Sequence, residues 1–277
     1  MKKNGVIIVA YHKKYFSYSD EFFLPIHVGA ATSNSTLEYI KDNTGENISE
    51  KNKNFCELTG IFWEWKNIDA NFYGLMHYRR YLMIEDTLKH KIKRGLYYIG
   101  RKFDKDIIIN KINMPELYQI KTTDENYVKE KIMEFSKKLP ELMKKYDIIL
   151  PKKEHFSKTV YEQYKNCHII EHLDLLLEII KEKYPKMHPY FDKMIKKGKF
   201  SYCTNMFVMK KDYFDEYSQF MFDILFELEK RIEIPSDPYQ SRVFGFLSER
   251  LMAPFIYYLI SEKNVSTKEL NILFLDK

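Results

Sequence analysis

The densest run of chemistry-bearing residues is His77-Tyr78-Arg79-Arg80. It follows directly on Phe72-Tyr-Gly-Leu-Met76, an apolar stretch that reads as a buried strand. A guanidinium fork matches phosphate oxygens and stays charged at any relevant pH. Two of them at the end of a buried strand suit a diphosphate and the negative charge that develops as it departs. Neighbouring side chains of an extended segment point to opposite faces, so one of the two is expected to face a site. The competing reading pairs an arginine with a carboxylate at the core edge, such as Glu57.

A second constellation is Arg242, Gly245 and Glu249, spaced i, i+3, i+7 on one face of an expected helix. A carboxylate there could deprotonate a hydroxyl. The alternative is a Glu249–Arg ion pair that only fixes the helix. A third is His168-Ile-Ile-Glu171-His172, an H-x-x-E-H pattern. On one helix His168 and His172 would lie a turn apart and could ligate zinc, with Glu171 as the base of a hydrolase. Three fixed positions among eight His and many Glu make a chance match easy. Asp104-Lys-Asp106 is a D-x-D of the kind that holds Mn or Mg on a diphosphate. It lies in a basic, weakly patterned region rather than after a strand, so no metal ligand is assigned. No Gly-rich phosphate loop and no G-x-S-x-G elbow occurs, which weakens dehydrogenase, kinase and serine-hydrolase readings.

These groups need elements to hold them. Gly5–Ala10 is β-branched and apolar, the pattern of a central strand, with Tyr11 and His12 at its C-terminal end, the ligand edge of open α/β sheets. Asp42–Gly45 signals a turn whose backbone N–H groups could meet an anion. Asn47 and Glu50 have capping-box spacing, so a helix is expected from there to about Lys66, with Phe55, Leu58, Phe62 and Trp65 as its apolar stripe. Further strands are expected at Tyr146–Leu150 and Cys203–Met209. Further helices are expected at Val160–Lys183, Lys211–Arg231 and Tyr239–Ile260, with helices and loops over residues 84–140. Alternating strands and helices imply an α/β fold: one domain over 1–277, its central sheet mostly parallel and flanked by helices.

Composition sets the outer limits. The 277 residues, 45% of them hydrophobic, suffice for a large core. Three widely spaced cysteines argue against a disulfide scaffold or structural zinc and fit a reducing compartment. The apolar runs Val6–Ala10 and Leu251–Ile260 are too short for a leader or a bilayer span, so a soluble protein is expected. Residues 89–105 carry seven Lys/Arg against one acid, which equals the whole net charge of +6. Such a patch is either a solvated face or an attraction to anionic membrane or diphosphate-linked acceptors. No recognition motif around it suggests nucleic acid.

Several stretches taken in order carry a resemblance. They are Pro25–Ala30, Asp42–Ser49 with Lys51-Asn52, Cys56–Gly60, Trp63–Asn67, Gly74–Tyr81 (with HYRR), Tyr146–Pro151, Asn205–Met209 and Gly245–Leu251 (GFLSERL). On these the chain resembles a family of capsular and exopolysaccharide biosynthesis proteins, first known as a domain of unknown function and now regarded as glycosyltransferases. The resemblance implies a GT-A-like, Rossmann-like domain with a donor nucleotide half at 1–83 and an acceptor and catalytic half at 141–277. It implies transfer of a sugar, in some relatives galactofuranosyl, from a nucleoside-diphosphate donor, UDP favoured. The acceptor would be a glycan or lipid-linked glycan of capsule, O-antigen (lipopolysaccharide) or exopolysaccharide. Tyr11, His12, Asp42, Asn43, Asn47, Asn52, His77, Arg79 and Arg80 are then expected at the donor, Asn205, Arg242 and Arg250 in support of the acceptor site, and Glu249 as base. The setting would be bacterial cytoplasm, with residues 89–105 touching the inner membrane face. Residues 84–140 carry no matching pattern. The alternative classes are a non-catalytic polysaccharide-binding protein, whose aromatics stack on sugars, and the zinc hydrolase.

Overall fold

The computed structural model describes residues 2–84 and 119–277, with residues 92, 95 and 96 between them. Strand β1 (Val6–Tyr11) is buried along its whole length. It pairs in parallel with β2 (Phe23–His27) on one side and β4 (Phe72–His77) on the other, and β3 (Ile40–Lys41) extends β2 in parallel. These four strands therefore end at one common edge.

The remaining strands make the sheet mixed, not mostly parallel. β10 (Phe207–Lys210) runs antiparallel to β4 and to β7 (Ile148–Pro151). β11 (Thr267–Leu275) runs parallel to β7 and β6 (Gln119–Thr122) but antiparallel to β5 (Arg80–Met83). The reason is local. β4 and β5 form a tight hairpin through Tyr78-Arg79, with His77 opposite Arg80, and a hairpin can only join antiparallel strands. Pairing thus closes a ring from β4 through β10, β7, β11 and β5 back to β4. Gly74 permits the β4–β10 seam: a Cβ there would sit 2.7 Å from the Phe207 carbonyl oxygen.

Period-two alternation of β1 divides two cores. Val6, Ile8 and Ala10 face the helices α2 (Leu58–Asn67), α5 (Ile170–Lys183), α7 (Lys211–Arg231) and α8 (Val243–Lys263). Ile7, Val9 and Tyr11 face α3 (Glu125–Lys145), through Val128, Phe135 and Leu139. Residues of both halves of the chain meet in each core, which makes this one mixed α/β domain. α8 is apolar on most of its circumference, as a core helix should be. By length and composition Gln240–Lys263 would suffice to cross a bilayer, and 72% of its most apolar stretch is buried in the fold.

Three expected elements differ. The helix expected from Asn47 is broken. A 3-10 turn (Ser49–Lys51) leads into α1 (Asn52–Phe55), and Cys56 then adopts a left-handed φ of 52° before α2 begins. No capping box forms at Asn47, whose oxygen instead accepts the Ser49 N–H at 3.2 Å. A real capping box opens α4 (Val160–Cys167), between Thr159 and Glu162. The chain then bends at His168-Ile169, so 160–183 is two helices. The last strand before α7 starts at Phe207, because Asn205 takes φ 50° and cannot extend it. Between these lie β8 (Glu154–His155), α6 (His188–Lys197) and β9 (Phe200–Ser201).

Candidate active site at the sheet edge

The chain leaves β1 for β2 and β3, then returns to β4 on the other side of β1. That reversal makes a topological switch point at the C-terminal ends of β1 and β4, the place where ligands of open α/β sheets bind. His12 and Tyr78 flank it, their rings edge to face at 5.1 Å. His77 Nε2 donates to the Thr204 carbonyl at 2.6 Å, which ties the end of β4 to the segment before β10. The pKa of His12 is lowered, first by loss of solvent around the ring, then by Lys13, Arg242 and Arg79. Burial does the same to His77. Both imidazoles therefore favour the neutral form among cations.

Arg79 and Arg80 do not diverge as in an extended strand. The Tyr78-Arg79 turn swings both onto one aromatic ring. Their guanidinium carbons lie 5.2 and 4.9 Å from the centroid of Phe274, which is paired with Arg80 across β5 and β11. Both Nε atoms are buried without a hydrogen-bond partner. Among the described residues neither arginine forms an ion pair; Glu57 is held elsewhere, by Asn205. The pKa of Arg80 is lowered by burial and then by Arg79. Two half-buried like charges side by side repel, and an anion between them would relieve that.

Opposite them α8 presents Glu249. Its carboxylate accepts from Arg250 Nη1 at 2.7 Å, and Ser201 Oγ donates to its backbone carbonyl. Burial raises its pKa to about 7; Arg250 opposes this, and Glu57 and Glu154 add to it. Arg250, only 4% exposed, is braced by the Phe246 carbonyl, Gln163 Oε1 and the Tyr164 ring. Asn205 Nδ2 donates to Glu57 Oε1 at 2.9 Å and to Ser248 Oγ at 2.8 Å, which joins the α2 corner to α8. Gly245 allows that approach, since a Cβ there would lie 3.0 Å from Cys56 Sγ. Arg242 donates to the same sulfur at 3.3 Å. Of the expected face only Gly245 and Glu249 lie on α8 itself; Arg242 ends the 3-10 turn (Gln240–Arg242) that leads into it.

Other expected residues lie apart from it or are used internally. Tyr11 is fully buried, its hydroxyl shared between the Phe16 carbonyl and Tyr81. Asp42 is buried and accepts four bonds, from Gly29 N, Ala30 N, Ser49 Oγ and Thr59 Oγ1. Asn47 folds back on its own turn, and Asn52 donates to Cys56 O and Thr59 Oγ1. Asn43 is exposed. The Glu46 N–H is taken by Asn67, so the turn offers fewer free donors than expected. His168 and His172 do not share a helix: His168 caps α4, stacked on Phe246, and His172 is buried in α5. That breaks the zinc-hydrolase pattern, and among the described residues no group of three His, Cys, Asp or Glu could hold a metal. Asp104 and Asp106, and all of 89–105 but Ile92, Gly95 and Leu96, lie outside the described residues. Sequence reasoning missed Phe274, Glu154, Gln163 and Tyr164. None belongs to a local motif, and only folding brings them to the edge.

The family described as Domain of unknown function (DUF4422) matches residues 6–263. The chain belongs to this family. No curated protein sequence matches this DUF4422 chain. Among solved structures it is similar to the apo form of WbbM, a bifunctional glycosyltransferase, with a TM-score of 0.82 and 29% identity. The similarity covers 100% of this chain and 45% of the WbbM chain, so it spans less than half of that protein.

Proposed function

We propose that this protein is a glycosyltransferase with a GT-A-like fold, which moves a sugar from a nucleoside-diphosphate donor to a glycan acceptor. The observation that carries the reading is the pair Arg79 and Arg80, converged on Phe274 at the switch point without an ion-pair partner among the described residues. The likeness to a solved glycosyltransferase supports it. The anomeric carbon loses its bond to the donor diphosphate and gains one to an acceptor oxygen. Arg79 and Arg80 take up the charge on the departing diphosphate, with His12 and His77 beside it. The acceptor proton passes to Glu249, which needs its carboxylate form. A pKa near 7 makes it basic enough to accept a proton and still largely ionised just above neutrality.

The favoured donor is a UDP-sugar, with a galactofuranosyl-type residue as the first to try. The favoured acceptor is a capsular, O-antigen or exopolysaccharide chain on the cytoplasmic side of the membrane. Residues 89–105 are the proposed contact with anionic lipid, and flotation on anionic vesicles at low and high salt tests it. The deciding experiment is thermal stabilisation by UDP, GDP, CMP and dTDP, each with Mn²⁺ and with EDTA. A native-state ligand raises the melting point by mass action. A shift with one nucleoside diphosphate is expected. No shift with any would return the weight to a polysaccharide-binding protein. Glu249→Gln should keep that shift and lose about 10²–10⁴-fold in transfer.

A further inference from the structure

Beside Glu249 stands a group of rings that the transfer chemistry above does not use. Tyr239 is 53% exposed, one of eight large hydrophobic side chains left in solvent among the described residues. Its ring stacks on His168 at 5.8 Å and 17°, and leans on Phe246 at 4.9 Å. His168 in turn stacks on Phe246 at 4.1 Å. The group is rigidly mounted. Asp237 Oδ1 accepts the backbone N–H groups of Tyr239 and Gln240. Gln240 Oε1 accepts from His168 Nδ1 at 3.3 Å, and Gln240 Nε2 donates to the Cys167 carbonyl. Burial and then Arg250 lower the His168 pKa to about 4, so its ring is neutral at physiological pH.

Position connects these rings to the candidate base. Phe246 precedes Glu249 by three residues, about 4.5 Å along the helix axis and on neighbouring turns of one side. Arg242 lies one turn earlier, its guanidinium 5.3 Å over the Phe246 ring. Flat aromatic faces with a guanidinium and an amide at their rim match a pyranose or furanose. Its C–H face stacks on rings and its hydroxyls need planar donors and acceptors.

We infer that Tyr239, His168 and Phe246 form the acceptor platform, on which the receiving sugar lies with its nucleophilic hydroxyl toward Glu249. The inference rests on the glycosyltransferase reading and adds the residues that choose the acceptor. Tyr239 is the sharpest probe, because it is exposed and its removal spares the core. The nucleotide sugar would be the one whose nucleoside diphosphate stabilises the protein. The acceptors would be a panel of methyl hexopyranosides and hexofuranosides, with nucleoside diphosphate release as the readout.

Tyr239→Ala is expected to raise KM for the best acceptor about tenfold and leave KM for the donor within twofold. Tyr239→Phe should behave like the unaltered chain, because the ring and not the hydroxyl does the stacking. An unchanged acceptor KM in Tyr239→Ala would overturn the platform. So would an equal rise in donor KM, which would move the rings to the donor side. If the unaltered chain binds nucleotide but transfers to no glycoside, while a non-glycan acceptor is used, the platform fails although transfer stands. If it binds no nucleotide at all, both readings fall.

Discussion

Two charge clusters sit at the same edge of the same sheet and behave in opposite ways. Around Asp42 every acceptor is filled: two backbone N–H groups and two hydroxyls converge on one buried carboxylate. Around Arg79 and Arg80 two half-buried cations share a phenylalanine ring, and among the described residues neither forms an ion pair. The first arrangement is complete without a ligand and holds the β2–β3 corner together. The second leaves two buried guanidinium Nε atoms without a hydrogen-bond partner among the described residues. Charge alone therefore does not mark a site; unfilled charge at a place where ligands can enter does.

Breaking each cluster should give opposite signatures. Arg79→Ala or Arg80→Ala is expected to lower kcat/KM about 10²–10³-fold, with the apo melting point unchanged or raised as repulsion is relieved. Steady-state kinetics beside a melting curve checks this, and a loss of stability without loss of binding would merge the clusters into one structural class. Asp42→Ala should do the reverse. It strands buried donors and should lower stability by about 2–4 kcal/mol in urea unfolding, with the nucleotide-induced shift retained.

Glu249 sharpens the contrast through pH. Its pKa is raised to about 7 in the fold from an ordinary 4.5. A raised carboxyl binds its proton more tightly when folded. Its stabilising contribution is thus fully present below about pH 4.5 and lost as pH rises through about 7, by up to about 3 kcal/mol. Glu249→Gln should flatten that part of the stability–pH curve; an unchanged slope would mean the carboxyl is ordinary. The smallest effect concerns space. Gly74→Ala brings a Cβ to 2.7 Å from the Phe207 carbonyl and should cost about 1–3 kcal/mol by forcing β4 from β10. Loss of the His77–Thr204 bond with it would tie that seam to the site.

Much of the frame was legible in the sequence. The runs Gly5–Ala10 and Phe72–Met76 are apolar and β-branched or aromatic, and both are buried central strands, because a segment covered on both faces has no polar alternation. The i, i+3, i+7 spacing was only partly followed: Gly245 and Glu249 lie on α8, while Arg242 stands just before it at the end of a 3-10 turn. β11 gave no usable signal, although it pairs with three strands. Its run Leu270–Leu275 has one polar residue, Asn271, and can be told from a helix only by its neighbours.

What the sequence by itself determined was local: which segments extend, which coil, and which residues stand at their ends. Those follow from periodicity and from backbone preference within a few residues. What only tertiary structure decided was partnership. Asp42 and Arg79 look equally functional as letters in a string. One meets Gly29, Ala30, Ser49 and Thr59 on folding, and the other meets Arg80 and Phe274. Charge is a property of a residue, but satisfaction of that charge belongs to its surroundings, and those surroundings come from strands up to about two hundred residues away in the chain.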